Sequence, residues 1–278
     1  MNLNVTIKKS GMSASDESAI EGFMRFFEAE SGISLSRNKQ YLVAQRLESR
    51  LRATKKKNYA DYLAWVQLAG NEPEKRLVVD LLTTNETSFF REVDHFKLMA
   101  KLAKEYRDAG KVLRIWSAAC SSGEEPYSIA MVLDQYSGNN FWEIDASDLS
   151  ESMLDIARQG LYPLRASDRV PQRYLKQYCL RGRGAYQDQF MIKESLRKRV
   201  YFCNRNLMSD VDCDKIYDAI FLRNVLIYFD ANKKKRILQK VIERLAIGGR
   251  LIIGHAESVL GLIDGLEQVQ PSVYIKAK

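Results

Sequence analysis

From Lys111 onward, short apolar runs alternate with helical segments, and few folds satisfy that alternation. VLRIWSA (112–118) reads as a buried strand, followed by the turn SSGEEP and the helical stretch YSIAMVLDQY. FWEIDASD (141–148) repeats the pattern, ending at Ser-Asp ahead of the helix SESMLDIARQG. A third unit runs from YDAIFLRN (217–224) through the helix NKKKRILQKVIERLAIGG into the strand RLIIGHA (250–256). Strands that alternate with helices specify a parallel sheet covered by helices on both faces. The C-terminal SVYIKAK reads as a last strand at the sheet edge. Between residues 161 and 200 the alternation breaks. Two prolines, Gly182, Gly184 and short β-like runs there predict an inserted subdomain with a small antiparallel piece.

The chain before Lys111 has a different texture. Residues 1–15 are polar and read as loose, and from Asp16 to about Leu82 the apolar residues recur at helical spacing. Phe23, Phe26 and Phe27 form one such face, Val43, Leu47 and Leu51 a second, and Tyr59, Tyr62, Leu63 and Val66 a third. The expected organisation is an all-α domain over 16–84 and an α/β domain over 85–278. A helix is expected from Asp94 to Asp108, stopped by Ala109-Gly110.

Several classes are disfavoured. No apolar run approaches the roughly 20 residues that span a bilayer. The N-terminus lacks the apolar stretch of a secretory signal, so a cytoplasmic protein is expected. The four cysteines form no CxxC pair, and no disulfide or zinc site is read from them. Two histidines, His95 and His255, stand too far apart in sequence to suggest a metal centre, so no metal is expected.

The candidate chemistry sits where strands end. In WSAACSSGEEP a strand gives way to a turn of small residues and a helix start, which lets backbone N–H groups approach a ligand closely. With Gly123 as its only glycine, the turn is no GxGxxG pyrophosphate cradle. Glu124 and Glu125 would repel phosphate and suit a cationic ligand, although acids at a helix start are also explained by the helix dipole. Asp148, at the next strand end, is placed to accept hydrogen bonds from ribose hydroxyls, or simply to cap the helix that follows. Together they favour a nucleoside without phosphates, such as S-adenosylmethionine. In FLRNVLIYFD, Arg223 and Asn224 follow a strand at the edge where α/β sheets bind ligands, and Tyr228 lies four residues on. The string has no proline, which counts against the Asn/Asp-Pro-Pro-aromatic grip of a base methylase. In TTNETSFFRE (83–92), Asn85, Thr87 and Arg91 would gather if a helix opened near Thr87, with Phe89 and Phe90 packed inward.

Charge is concentrated in one place. Between Arg37 and Lys57 eight basic residues face a single acid, Glu48. At about 100° per residue, Lys39, Arg46, Arg50 and Lys57 fall on one stripe beside Val43, Leu47 and Leu51. The stripe is either a solvated helix face or a docking surface for an acidic partner. Nucleic acid is not expected, because no aromatic residue interleaves the stripe.

Taken together, TTNETSFFRE, SAACSSGEEPYSIA, ASDLSESML, NRNLM (204–208) and RNVLIYFD resemble, in order, the chemotaxis receptor methyltransferase family (CheR). The likeness runs from about Ile20 to Val273. It implies a helical N-terminal domain and a Rossmann-like, S-adenosylmethionine-dependent methyltransferase domain carrying the inserted β subdomain. It implies methyl transfer to glutamate side chains on the cytoplasmic helices of transmembrane chemoreceptors, with S-adenosylhomocysteine as product, in sensory adaptation. By the same resemblance, Asn85, Thr87 and Arg91 reach the cofactor, and Glu125 takes its methionyl ammonium region. Asp148 takes the ribose, Asn206 and Leu207 border the adenine, and Arg223 and Asn224 line the pocket. Arg91 and Tyr228 lie nearest the transferred methyl. The loop RGRGAYQDQF resembles one that docks a receptor tail in some members, but its residues after Gly184 do not follow that loop. A monomer that does not insert into the membrane is expected. Two other readings stay open: a methyltransferase acting on RNA or a small molecule, and a non-catalytic receptor-binding module.

Overall fold

The computed structural model describes residues 13–138, 141–209 and 215–277. Most of the segment expected to be loose, and Cys213, lie outside the described residues. The chain divides into two compact units between Leu82 and Thr83.

Among the described residues the first unit holds four α-helices: α1 (Ala14–Ser31), α2 (Gln40–Ala53), α3 (Tyr59–Gln67) and α4 (Glu72–Leu82). Local chemistry sets their ends. The Ser13 hydroxyl accepts the Asp16 N–H at the start of α1, and Gly32, at φ 78°, supplies the left-handed turn that stops it. Asn58 caps α3 in the same way as Ser13. Ile20, Phe23, Phe27, Val43, Leu47, Tyr62 and Val66 are buried, as their spacing predicts. The basic stretch departs from expectation. Helix α2 contains only Arg46 and Arg50 of the four stripe residues. Lys39 ends a separate short 3-10 turn, and Lys57 follows the end of α2, beyond Lys55 at φ 54°. One continuous stripe therefore does not form.

The second unit begins with α5 (Val93–Asp108), β1 (Leu113–Ala118), α6 (Glu124–Ser137), β2 (Trp142–Asp148) and α7 (Glu151–Gln159). The insertion holds β3 (Leu161–Pro163), α8 (Gln172–Tyr178), β4 (Cys179–Arg181), β5 (Gln189–Ile192) and α9 (Glu194–Arg197). The chain then returns to the main sheet through β6 (Val200–Asn204), β7 (Tyr217–Leu222), α10 (Ala231–Glu243), β8 (Leu245–Ile253), β9 (Leu266–Gln270) and β10 (Val273–Lys276). The seven-stranded sheet has the order β6-β2-β1-β7-β8-β10-β9, and the insertion forms a separate three-stranded sheet, β3-β5-β4. Strands β6, β2, β1, β7 and β8 run parallel, while β10 is antiparallel to both its neighbours. Ile115, Trp116, Ile144, Ala219, Phe221 and Ile252 form the buried centre of the sheet.

Three expectations change. The stretch LAIGG belongs to β8 and not to the helix before it, so α10 ends at Glu243. Two adjacent glycines disfavour helix there. The C-terminal strand is not the edge: β9 lies outside it and β6 forms the opposite edge. No helix opens at Thr87. Phe90 and Glu92 take positive φ, 51° and 61°, and the helix begins only at Val93. Phe89 and Phe90 do pack inward, Phe89 edge-on to Tyr162 and Phe90 stacked on Tyr174, both with centroids 5.0 Å apart. Among the described residues Cys120, Cys179 and Cys203 form no disulfide. Among the described residues no helix is long and apolar enough to cross a membrane.

Candidate active site

The carboxyl ends of the parallel strands meet at one edge of the sheet, and the order reverses between β1 and β7, where such folds open a crevice. The turn after β1 is held under strain. Ala119, Ser121 and Gly123 have φ of 73°, 49° and 94°. Two devices fasten it. The Ala119 and Cys120 N–H groups donate to the Ser147 carbonyl, and the Ser121 N–H donates to Asp148 Oδ2 at 2.7 Å. The other Asp148 oxygen accepts the Ser150 N–H at 2.9 Å. Asp148 is thus a buried carboxylate that ties the ends of β1 and β2 together.

Glu125 is the second residue of helix α6, just after this turn. Its Oε1 accepts the buried Ser117 hydroxyl at 2.7 Å, and its Oε2 pairs with Arg223 at 2.9 Å. Burial raises its carboxyl above the ordinary value, against the pull of Arg223. Glu124 beside it is raised by burial as well, with the Ser122 hydroxyl offsetting part of the effect.

Arg223 is the buried cation of this crevice. Besides Glu125 it pairs with Glu92 Oε2 at 3.0 Å and donates to the Arg91 carbonyl at 2.6 Å. Its side chain therefore links the end of β7 to α6 and to the segment before α5. Asn224, next to it, takes φ 57°. Its N–H donates to Glu257 Oε2 at 2.7 Å, and the same oxygen accepts the Gly254 N–H at 2.8 Å. A Cβ at Gly254 would press on the Asn224 amide and the Glu257 carboxylate, at 2.5 and 2.9 Å. Tyr228 ends a short 3-10 turn, Leu226–Tyr228, is half-buried, and its hydroxyl has no hydrogen-bond partner among the described residues.

The remaining candidates are less fully engaged. The Asn85 carbonyl accepts the Ser121 hydroxyl at 3.0 Å, which holds the 85–92 segment against the strained turn. Thr87 is half-buried, and Arg91 is exposed with one long contact, 3.4 Å, to the Glu86 carbonyl. Asn206 and Leu207 follow β6, whose end is fixed by the Arg205 N–H on the Asp148 carbonyl. Asn206 Oδ1 turns back onto the Met208 N–H at 2.8 Å. Of the basic residues, Arg46 donates to the Leu82 carbonyl at 2.9 Å. Arg50 makes two bonds to Glu74, at 2.9 and 2.6 Å, so both serve the helical unit internally. Lys39 and Lys57 are exposed.

Two acids went unread in the sequence. Glu92 and Glu257 support Arg223 and Asn224, and the signal was indirect: an arginine at a buried strand end requires carboxylates to neutralise it. The histidines also change standing. Their rings lie 5.2 Å apart, so separation in sequence is no separation in space.

Comparison with known proteins agrees over the whole chain. The all-alpha domain of CheR methyltransferase matches residues 18–83, and the SAM binding domain of CheR methyltransferase matches residues 85–275. Chemotaxis protein methyltransferase 2 of Pseudomonas aeruginosa is 40% identical over 251 residues, covering 89% of this chain and 89% of that protein. The chemotaxis protein methyltransferase of Borreliella burgdorferi is 36% identical over 286 residues, covering 99% and 97%. That of Salmonella typhimurium is 36% identical over 251 residues, covering 89% and 86%. With both domains matched in order and a carboxylate-lined crevice at the strand edge, the chain belongs to the CheR family of S-adenosylmethionine-dependent methyltransferases.

Proposed function

We propose that the protein methylates glutamate side-chain carboxylates of chemoreceptors, giving glutamate methyl esters and S-adenosylhomocysteine. The observation that carries this reading is the charge of the crevice. Glu92 and Glu125 pair with the buried Arg223, Glu124 opens the helix after the β1 turn and Asp148 ends β2, and the turn is no glycine-rich phosphate loop. That excess of carboxylate fits a ligand with an ammonium and a sulfonium and rejects a dinucleotide. Glu125 would hold the ammonium region and Asp148 the ribose, while Asn85 and Thr87 approach from the segment before α5. Asn206 and Leu207 would border the adenine. Arg223 fixes Glu125, and Asn224 sets the pocket wall beside it.

S-adenosylmethionine, when bound, supplies an electrophilic methyl group. A glutamate of pKa near 4.3 is already ionised at neutral pH, so the protein needs no general base. Its task is alignment of a weak nucleophile. The exposed Arg91 guanidinium can hold the incoming carboxylate, and the unpartnered Tyr228 hydroxyl can donate to it and fix its orientation. Among the described residues the exposed side chains of Lys39 and Lys57 make no internal bond, and they would attract acidic receptor helices.

Transfer of tritiated methyl groups into chemoreceptor-enriched membranes tests the reading. The expected result is label in the receptor band that base releases, the behaviour of a carboxyl methyl ester. Label that resists base, or that enters RNA in its place, would overturn it.

A further inference from the structure

We propose that Glu92, His95 and His255 form a binding site for a divalent transition-metal ion of the zinc class. Glu92 immediately precedes α5, His95 lies in its first turn, and His255 follows β8. Glu92 Oε2 stands 3.5 Å from His95 Nδ1 and 3.8 Å from His255 Nε2. One donor atom from each of the three residues lies within 4.8 Å of the others. Around a tetrahedral ion with bonds of about 2.0–2.1 Å, neighbouring donors are about 3.3–3.4 Å apart. Closing the set around an ion takes a contraction of a few tenths of an ångström at each Glu92 distance and of no more than about 1.4 Å at the widest pair, which rotation of the half-exposed His255 ring can supply.

The state of His95 is the second observation. The side chain is 2% exposed, yet neither ring nitrogen has a hydrogen-bond partner among the described residues. A neutral imidazole carries one N–H and one lone pair, and proteins rarely bury both unmet. An ion between Glu92 and the two imidazoles satisfies the lone pair. Two nitrogens and one carboxylate oxygen suit zinc with one open position, whereas magnesium and calcium prefer all-oxygen cages.

Arg223 is the group that opposes a cation here, since it reaches the same Glu92 oxygen at 3.0 Å. Its charge is matched by Glu125 on its other side. That leaves Glu92 with negative charge to offer, and a carboxylate has lone pairs enough for both partners. The nearby Asp94 points its charge to Lys97 at 2.7 Å. The His255 backbone N–H donates to Glu92 Oε1 at 3.2 Å and steadies the carboxylate. The ion would thus clamp the end of β8 to the start of α5, and it would share Arg223 with the proposed cofactor pocket.

The full-length protein, stripped of metal with a chelator, would be titrated with zinc by calorimetry and with cobalt(II) by absorption. The expected result is one ion per chain and visible ligand-field bands without near-ultraviolet thiolate charge transfer. His255→Ala removes a half-exposed ligand. It should keep the wild-type circular dichroism, bind zinc at least tenfold more weakly, and lose the zinc-dependent rise in Tm. His95→Gln should lose the cobalt bands in the same way. Absence of stoichiometric uptake by the wild type, thiolate charge-transfer bands, or unchanged zinc affinity in His255→Ala would each overturn the site.

Discussion

Arg223 organises the crevice more than any residue that faces it. One guanidinium holds Glu125, Glu92 and the Arg91 carbonyl, so the start of α6 and the segment before α5 both depend on a single buried charge. Asp148 plays a comparable part through two backbone N–H groups. Asp148→Ala should therefore weaken binding of S-adenosylhomocysteine by about 1–3 kcal/mol, the loss for a buried hydrogen-bond partner, as read by calorimetry. Unaltered affinity would show that the carboxylate serves the turn alone. Tyr228 allows a cleaner separation. Tyr228→Phe keeps the ring and removes only the unpartnered hydroxyl, so turnover should fall while cofactor affinity stays within a few-fold. Unchanged turnover would reduce Tyr228 to a packing residue. The strand-end positions of Arg223, Asn224 and Asp148 were legible in the sequence, because an apolar run that stops at polar residues marks a strand terminus. Their partners were not, since Glu92 and Glu257 come from segments 131 and 34 residues away from Arg223.

Among the elements, the parallel strands were easiest to read, because strands buried on both faces are near-continuous apolar runs. The errors fell where apolar pattern and local propensity part. Leu245-Ala-Ile continues the periodicity of α10, yet Gly248-Gly249 admits a strand, and pairing with β7 decides the matter. Strand β9 is largely exposed and polar, so no periodic signal marks it. The turn after β1 carries the strictest local requirement. Gly123 has φ 94°, and a Cβ there would stand 2.8 Å from Ala157 Cβ and 3.0 Å from the Tyr162 hydroxyl. Tyr162 donates to the Ser122 carbonyl at 2.7 Å, so it cannot withdraw without loosening the turn. Gly123→Ala should destabilise the α/β unit by about 1–3 kcal/mol in chemical denaturation and weaken cofactor binding with it. Stability equal to wild type would mean that the turn relaxes freely. In the helical unit, burial works to raise the Glu74 carboxyl, but the bonds from Arg50 and Tyr62 together hold it below the ordinary value. The stabilisation is complete above the unfolded carboxyl pKa, near 4.3, and is lost as pH falls through the lower folded value. Glu74→Gln should flatten the acid limb of the stability profile in that window, and an unchanged limb would place the acid sensitivity elsewhere.

Across the whole molecule, the densest basic stretch and the carboxylates of the crevice lie in different units. The crevice gathers acids in the α/β unit, while the basic excess lies between Arg37 and Lys57 in the helical unit. The counted charge was visible in the sequence, but its use was not. Arg46 and Arg50 bond within the helical unit, and reversing them would disturb its fold as well as any docking. Lys39 and Lys57 separate the two effects, because both are exposed and neither side chain makes an internal bond among the described residues. If they attract acidic receptor helices, Lys39→Glu with Lys57→Glu should raise the apparent KM for receptor several-fold. Cofactor affinity and Tm should hold. The wild-type rate at subsaturating receptor should fall as salt rises past 0.1 M, where the Debye length is about 10 Å, and the double variant should show a shallower slope. An unchanged KM and salt slope would make these lysines ordinary solvated charges. Receptor recognition would then have to lie in the insertion, where the exposed Leu180 and Tyr186 flank the Gly182–Gly184 loop.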